Sequence, residues 1–116
     1  MKRFTILILA LLLFSACNHK GKESTPKRLL TEQEMVAIMA DIQIIEADLT
    51  SRKTNQQDIT GLPQQYYDQL FEHYGITDSI FMENIRYYTY SPATLERIMD
   101  SVVQRLTKVQ STSSTQ

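Results

Sequence analysis

The longest apolar run stands at the start of the chain, where residues 4–14 are interrupted only by Thr5. Beyond it, apolar residues recur with helical spacing. Met35, Ile38, Met39, Ile42, Ile45 and Leu49 follow the i, i+3, i+4, i+7 rhythm of one buried helical stripe. Thr31 precedes them as an N-cap, Glu34 completes a capping box, and Leu30 with Met35 forms a hydrophobic staple. This first helix is expected to end near Thr50. Residues 51–61 are polar and carry no period, so they read as a loop, longer than most helix connections. Pro63 suits the first turn of a second helix, with Tyr66, Tyr67, Leu70, Phe71 and Tyr74 as its apolar face and Gly75 just past its end. Thr77 or Asp78 caps a third helix carrying Ile80, Phe81, Ile85 and Tyr88. Ser91 and Pro92 open a fourth as N-cap and first helical residue, and Leu95, Ile98, Met99, Val102, Val103, Leu106 and Val109 continue it. No stretch alternates with period two, so the expected fold class is all-α, a small bundle of about four helices.

The ends of the chain differ from this body. Lys2 and Arg3 before the apolar run of residues 4–14 make the basic and apolar regions of a secretory signal. As a helix, the run measures roughly 16 Å against the roughly 30 Å of a bilayer core, too short to span it. Residues 17–28 are polar, with Gly21, Ser24 and Pro26, and read as a disordered tether. From residue 18 to residue 30 it would typically span about 20 Å as a flexible coil, letting the folded part reorient above a surface. The helical domain is expected over residues 29–110, and residues 111–116, all serine, threonine or glutamine, read as a disordered tail.

Phe14-Ser15-Ala16-Cys17 resembles the lipobox of bacterial lipoproteins, usually Leu-(Ala/Ser)-(Gly/Ala)-Cys, with Phe14 in place of the commoner leucine. The resemblance implies a signal peptide over residues 1–16, cleavage after Ala16, and lipidation of Cys17, which would become the new N-terminus. Cys17 is the only cysteine, so a disulfide within the chain is excluded. Buried lipid contributes about 0.8 kcal/mol per CH₂, and more than one acyl chain makes a lasting anchor. Loss of Lys2 and Arg3 leaves 10 basic (12 less these two) against 13 acidic residues, a charge of −3. Acyl chains, and not a basic patch, would then hold the protein on a membrane. Asn18 after the cysteine resembles the outer-membrane class, and His19-Lys20-Gly21-Lys22 lacks an acidic export cluster. The expected location is the cell envelope, at the outer membrane facing the periplasm.

Across residues 31–106 the chain is similar to a family of small Bacteroidetes lipoproteins, the domain of unknown function 4296. The resemblance rests on Met35, Ile38, Met39, Asp41, Ile42, Glu46 and Ala47 in the first helix and on Tyr74-Gly75-Ile76-Thr77 with Phe81. Tyr87, Tyr88, Pro92, Leu95 and Ile98 complete it. It implies the envelope address and a helical fold, and brings no activity.

Candidate chemistry is sparse. Only His19 and His73 are present, and no pair of ligands has metal-site spacing, so no metal and no cofactor beyond the covalent lipid are expected. A near-neutral formal charge of −1 gives no footprint for nucleic acid. Three glycines and the lack of a Gly-x-Ser-x-Gly elbow argue against a phosphate loop or a serine nucleophile. Asp68 and Glu72, at i, i+4 beside His73, have acid/base potential but read better as a solvated helix face. Asp41 and Glu46 match the family pattern. Asp41 sits beside the apolar stripe and is expected to be structural, either capping a neighbouring helix or pairing with Arg86 or Arg97.

Every aromatic after Phe14 lies within residues 66–90: the six tyrosines, Phe71 and Phe81. Adjacent residues on a helix cannot share one interior, so Tyr66, Tyr67, Tyr87, Tyr88 and Tyr90 are candidates for a partner-binding surface. The expected function is a lipid-anchored, non-catalytic binding or accessory module of the cell envelope that docks another envelope protein. The alternative is a periplasmic chaperone or carrier that holds hydrophobic peptide or lipid between its helices, to which Met35, Met39, Met82 and Met99 would lend adaptable surface.

Overall fold

A computed structural model describes residues 24–115, so the signal segment, Cys17 and the tether up to residue 23 lie outside it. Among the described residues there are four α-helices and no strand: α1 Glu32–Thr54, α2 Leu62–His73, α3 Asp78–Thr89 and α4 Pro92–Ser113. The all-α expectation holds. Helix α1 lies between α4, its most extensive partner, and α2, while α3 packs on α4.

The local start and stop signals act largely as their chemistry dictates. The Thr31 hydroxyl accepts the Glu34 amide at 3.1 Å, and the Glu34 carboxylate accepts the Thr31 amide at 2.8 Å. Leu30 and Met35, the staple pair, are both buried in the core. At the end of α2, Gly75 takes φ 63°, donates to the Glu72 carbonyl, and lets the Ile76 amide reach the Phe71 carbonyl. Those two bonds make a Schellman motif, which buries Ile76 against the core. Thr77 caps α3 by accepting from the Ile80 amide. Ser91 occupies the N-cap position of α4 as expected, but its hydroxyl donates to the Thr94 hydroxyl at 2.9 Å and caps no backbone amide.

Two boundaries differ from the sequence reading. Helix α1 continues to Thr54, because Arg52 pairs with Asp48 one turn back at 2.7 Å and Arg52 and Lys53 sit in the last turn, facing the negative end of the helix dipole. The connection to α2 is therefore residues 55–61, steadied by Asp58 accepting from both the amide and the hydroxyl of Thr60. Helix α4 runs on to Ser113, past the expected limit at residue 110, with serine and threonine hydroxyls donating to carbonyls three and four residues back.

The core gathers Leu30, Met35, Ile38, Ala40, Leu70, Ile76, Phe81, Tyr88, Ile98 and Val102, with Leu95 and Leu106 packed partly against it. Met99, Val103 and Val109, read as part of the α4 stripe, are exposed instead, so the buried strip of α4 is narrower than its apolar pattern.

Candidate functional site

Helix α2 is tied to α1 through its tyrosines. Tyr66 donates to Asp48 at 3.0 Å, Tyr67 to Glu46, and Tyr74 to Asp41. Burial, then the bonded carboxylate, pushes Tyr67 and Tyr74 up to about 12. Asp48 is held below the ordinary carboxylate value, first by its bond from Arg52 and then by Tyr66. Asp41 and Glu46 each accept a bond from a tyrosine, so the partner of Asp41 is a phenol. Neither Arg86 nor Arg97 reaches it; Arg97 pairs with Glu32 at 2.9 Å. A phenol on the facing helix satisfies the carboxylate without bringing a second charge out of water.

The five tyrosines expected on a partner surface do not form one. Tyr88 is buried, and its hydroxyl donates to the Leu30 carbonyl, so it belongs to the core and leaves the candidate surface. Tyr87 is half-buried and meets Tyr88 edge to face with ring centroids 5.3 Å apart. Tyr66 and Tyr67 are half-buried with their hydroxyls committed to α1, and Tyr90 is exposed. Helical geometry separates neighbours by about 100°, so Tyr88 turns inward while Tyr87 stays half-exposed.

The residue with the largest structural consequence is one the sequence reading passed over. Asn84 is completely buried. Its carbonyl oxygen accepts from the Leu30 amide, and its amide nitrogen donates to the Arg28 and Ile80 carbonyls, each at 2.8 Å. Tyr88 holds the Leu30 carbonyl one turn further along α3. The Arg28 guanidinium donates to the Gly75 carbonyl at 2.8 Å, and Pro26 is buried. Residues 26–31 are therefore a strap laid along α3, which makes the last three residues assigned to the tether, 26–28, part of the folded body. A signal existed: Asn84 lies three residues after Phe81 and four before Tyr88, an amide on the apolar stripe.

On the side of α3 facing α2, the two helices diverge from the Gly75 turn and leave an open groove of about 840 Å³. Phe71 and Phe81 form its floor, with ring centroids 5.7 Å apart, and Tyr67 extends the row at 6.1 Å from Phe71. Ile76 lies at the vertex, and Met82, 56% exposed, forms a lip. Asp68, Glu72 and Asp78 are the carboxylate rim, and among the described residues no lysine, arginine or histidine lines the groove. His73 lines a separate shallow depression with Ile44, Ile45, Tyr66 and Leu70, so the conceivable acid/base group of Asp68, Glu72 and His73 is divided between two surfaces. Among the described residues no cluster of three or more His, Cys, Asp or Glu is placed to hold a metal ion, and no helix is long and apolar enough to cross a membrane.

No curated protein and no solved structure matches the chain. A family match does exist, and it runs from the buried Pro26 of the strap to the last turn of α4, so it spans strap and helices together. The chain belongs to the family described as domain of unknown function (DUF4296), matched over residues 26–112.

Proposed function

We propose that this protein is a lipid-anchored, non-catalytic module of the cell envelope that docks another envelope component through the groove between α2 and α3. The observation that carries the reading is the groove itself: an aromatic floor of Tyr67, Phe71 and Phe81, open to solvent and edged by an exposed methionine. Aromatic side chains supply large contact area, and methionine repacks around different shapes. The membrane part of the proposal rests on the basic and apolar leader, the lipobox-like residues 14–17 and the sole cysteine. Lipid on Cys17 would attach the chain to the outer membrane on its periplasmic side, and the strap would fix where the tether joins the body. The carrier alternative calls for an apolar chamber that encloses its cargo; an open groove favours docking over enclosure.

Two measurements test this. Replacing Cys17 by serine is expected to move the protein from the membrane fraction to the soluble fraction; unchanged sedimentation with membranes would overturn the anchor. A photoreactive amino acid at Met82 is expected to crosslink to one or two envelope proteins in cells, whereas the same probe at Asp100, on the exposed side of α4, should not give those products. Equal products from both positions would remove the groove from the function.

A further inference from the structure

We infer that the groove between α2 and α3 receives a helical segment of a partner protein whose apolar stripe is flanked by lysine or arginine. This rests on the docking reading above and names the chemistry of the partner.

The helical form follows from what the walls lack. Both walls are helices whose backbone groups are already bonded internally, and the described residues include no strand edge. An extended peptide laid there would bury amides and carbonyls without partners, at a cost comparable to a lost hydrogen bond for each. A helix brings its own backbone bonds. Helices α2 and α3 have 12 residues each, about 18 Å, room for roughly three turns and for anchors at i, i+3 or i+4, and i+7. The row Tyr67–Phe71–Phe81 is the matching floor.

The charge follows from the rim. Asp68 and Glu72 stand one turn apart on α2, a like-charged pair that disfavours its own helix, and Asp78 faces them from the start of α3. Gln64 donates to Asp68 at 2.7 Å and the Ser79 amide to Asp78 at 2.8 Å, but among the described residues no positive side chain lines the groove beside these three carboxylates. A partner with flanking lysine or arginine meets carboxylates at the rim and aromatic faces on the floor, where cations are also attracted. An anionic lipid headgroup or an acidic helix meets repulsion at the same points.

The test uses the full chain in phosphatidylcholine nanodiscs, with empty nanodiscs as the blank. The probe is a fluorescein-labelled helical peptide of three to four turns, leucine on one stripe and lysine on both flanks. A matched peptide carries glutamate for lysine. Fluorescence anisotropy is expected to show the lysine peptide binding at least about tenfold more tightly, with affinity falling as salt is added. The double variant Asp68→Asn, Glu72→Gln should weaken it about fivefold, the loss expected for two exposed ion pairs, with a melting temperature equal to or slightly above that of the parent. Met82→Lys should weaken it too, and Asp100→Asn, on α4, should leave it alone. Equal binding of both peptides, or lysine-peptide binding indifferent to the double variant, overturns the inference. In that event Met82 crosslinks to an envelope protein would leave the docking reading standing with a different partner chemistry, while their absence would remove both. Crosslinks only to a second copy of this chain would replace the partner by self-association and overturn the inference as well.

Discussion

Helix α3 presents two faces that are handled in opposite ways. The face with Asn84 and Tyr88 is covered by the chain itself, through the strap of residues 26–31. The adjoining face, with Asp78 and Met82, opens onto the groove, and Phe81, on the same stripe as Asn84 and Tyr88, forms the border between the two. A strap laid on a helix brings unpaired backbone groups into the interior, and α3 answers with an amide and a phenol that bind them one for one. No buried side-chain polar atom among the described residues is left without a partner. Such a face accepts one segment in one register. The groove asks for nothing so specific: its floor is largely aromatic, and its charged groups are carboxylates on exposed residues. It therefore suits a partner chosen by shape and charge.

The contrast breaks first at Asn84. Asn84→Leu keeps the branched shape, adds some bulk, and strands the Leu30 amide and the Arg28 carbonyl; it should cost about 3 kcal/mol, each buried orphan accounting for about 1–3. Thermal unfolding followed by circular dichroism should show a fall of at least about 10 °C for a domain of this size. Limited proteolysis should then cut within residues 24–31. A melting temperature equal to that of the parent would mean the strap is not held as described.

Tyr88→Phe removes one bond of the same clamp and should cost about 1–2 kcal/mol by the same measurement. The tyrosines of α2, half-buried and only partly out of water, should matter less. Tyr67→Phe and Tyr74→Phe should each cost about 1 kcal/mol once solvent screening is allowed for. Their pH dependence has a defined sign. The phenols are raised from 10.0 to about 12 on folding, so their contribution is complete below pH 10 and is lost as pH rises through about 12. Chemical denaturation repeated from pH 9 to pH 12 should show that decline in the parent and a flatter profile in the double phenylalanine variant. Met82→Lys, on the open face of α3, should change stability by less than about 0.5 kcal/mol and act on binding alone.

Much of this architecture could be read along the chain. The capping box at Thr31, the staple of Leu30 and Met35, the glycine that ends α2 and the threonine that starts α3 each depend on residues within one or two turns. The far ends of α1 and α4 were less legible, because polar residues with no apolar rhythm stay helical there through an ion pair and hydroxyl bonds along the helix. That Asp41 needs a polar partner was legible from its place beside the apolar stripe; that the partner is Tyr74, 33 residues away, was not. The tyrosines misled for a related reason. Their crowding suggested surface, yet Tyr88 turns inward to a strap 58 residues earlier in sequence.

Sequence alone settles where the helices start and that the fold is all-α, since these follow from spacing along a single helix and from groups a turn apart; how much of the α4 stripe is buried it does not settle. Only the tertiary structure decides which side of α3 is closed and which stays open. That choice depends on how α2 diverges from α3 and where residues 26–31 return, and no local periodicity encodes the meeting of segments more than fifty residues apart.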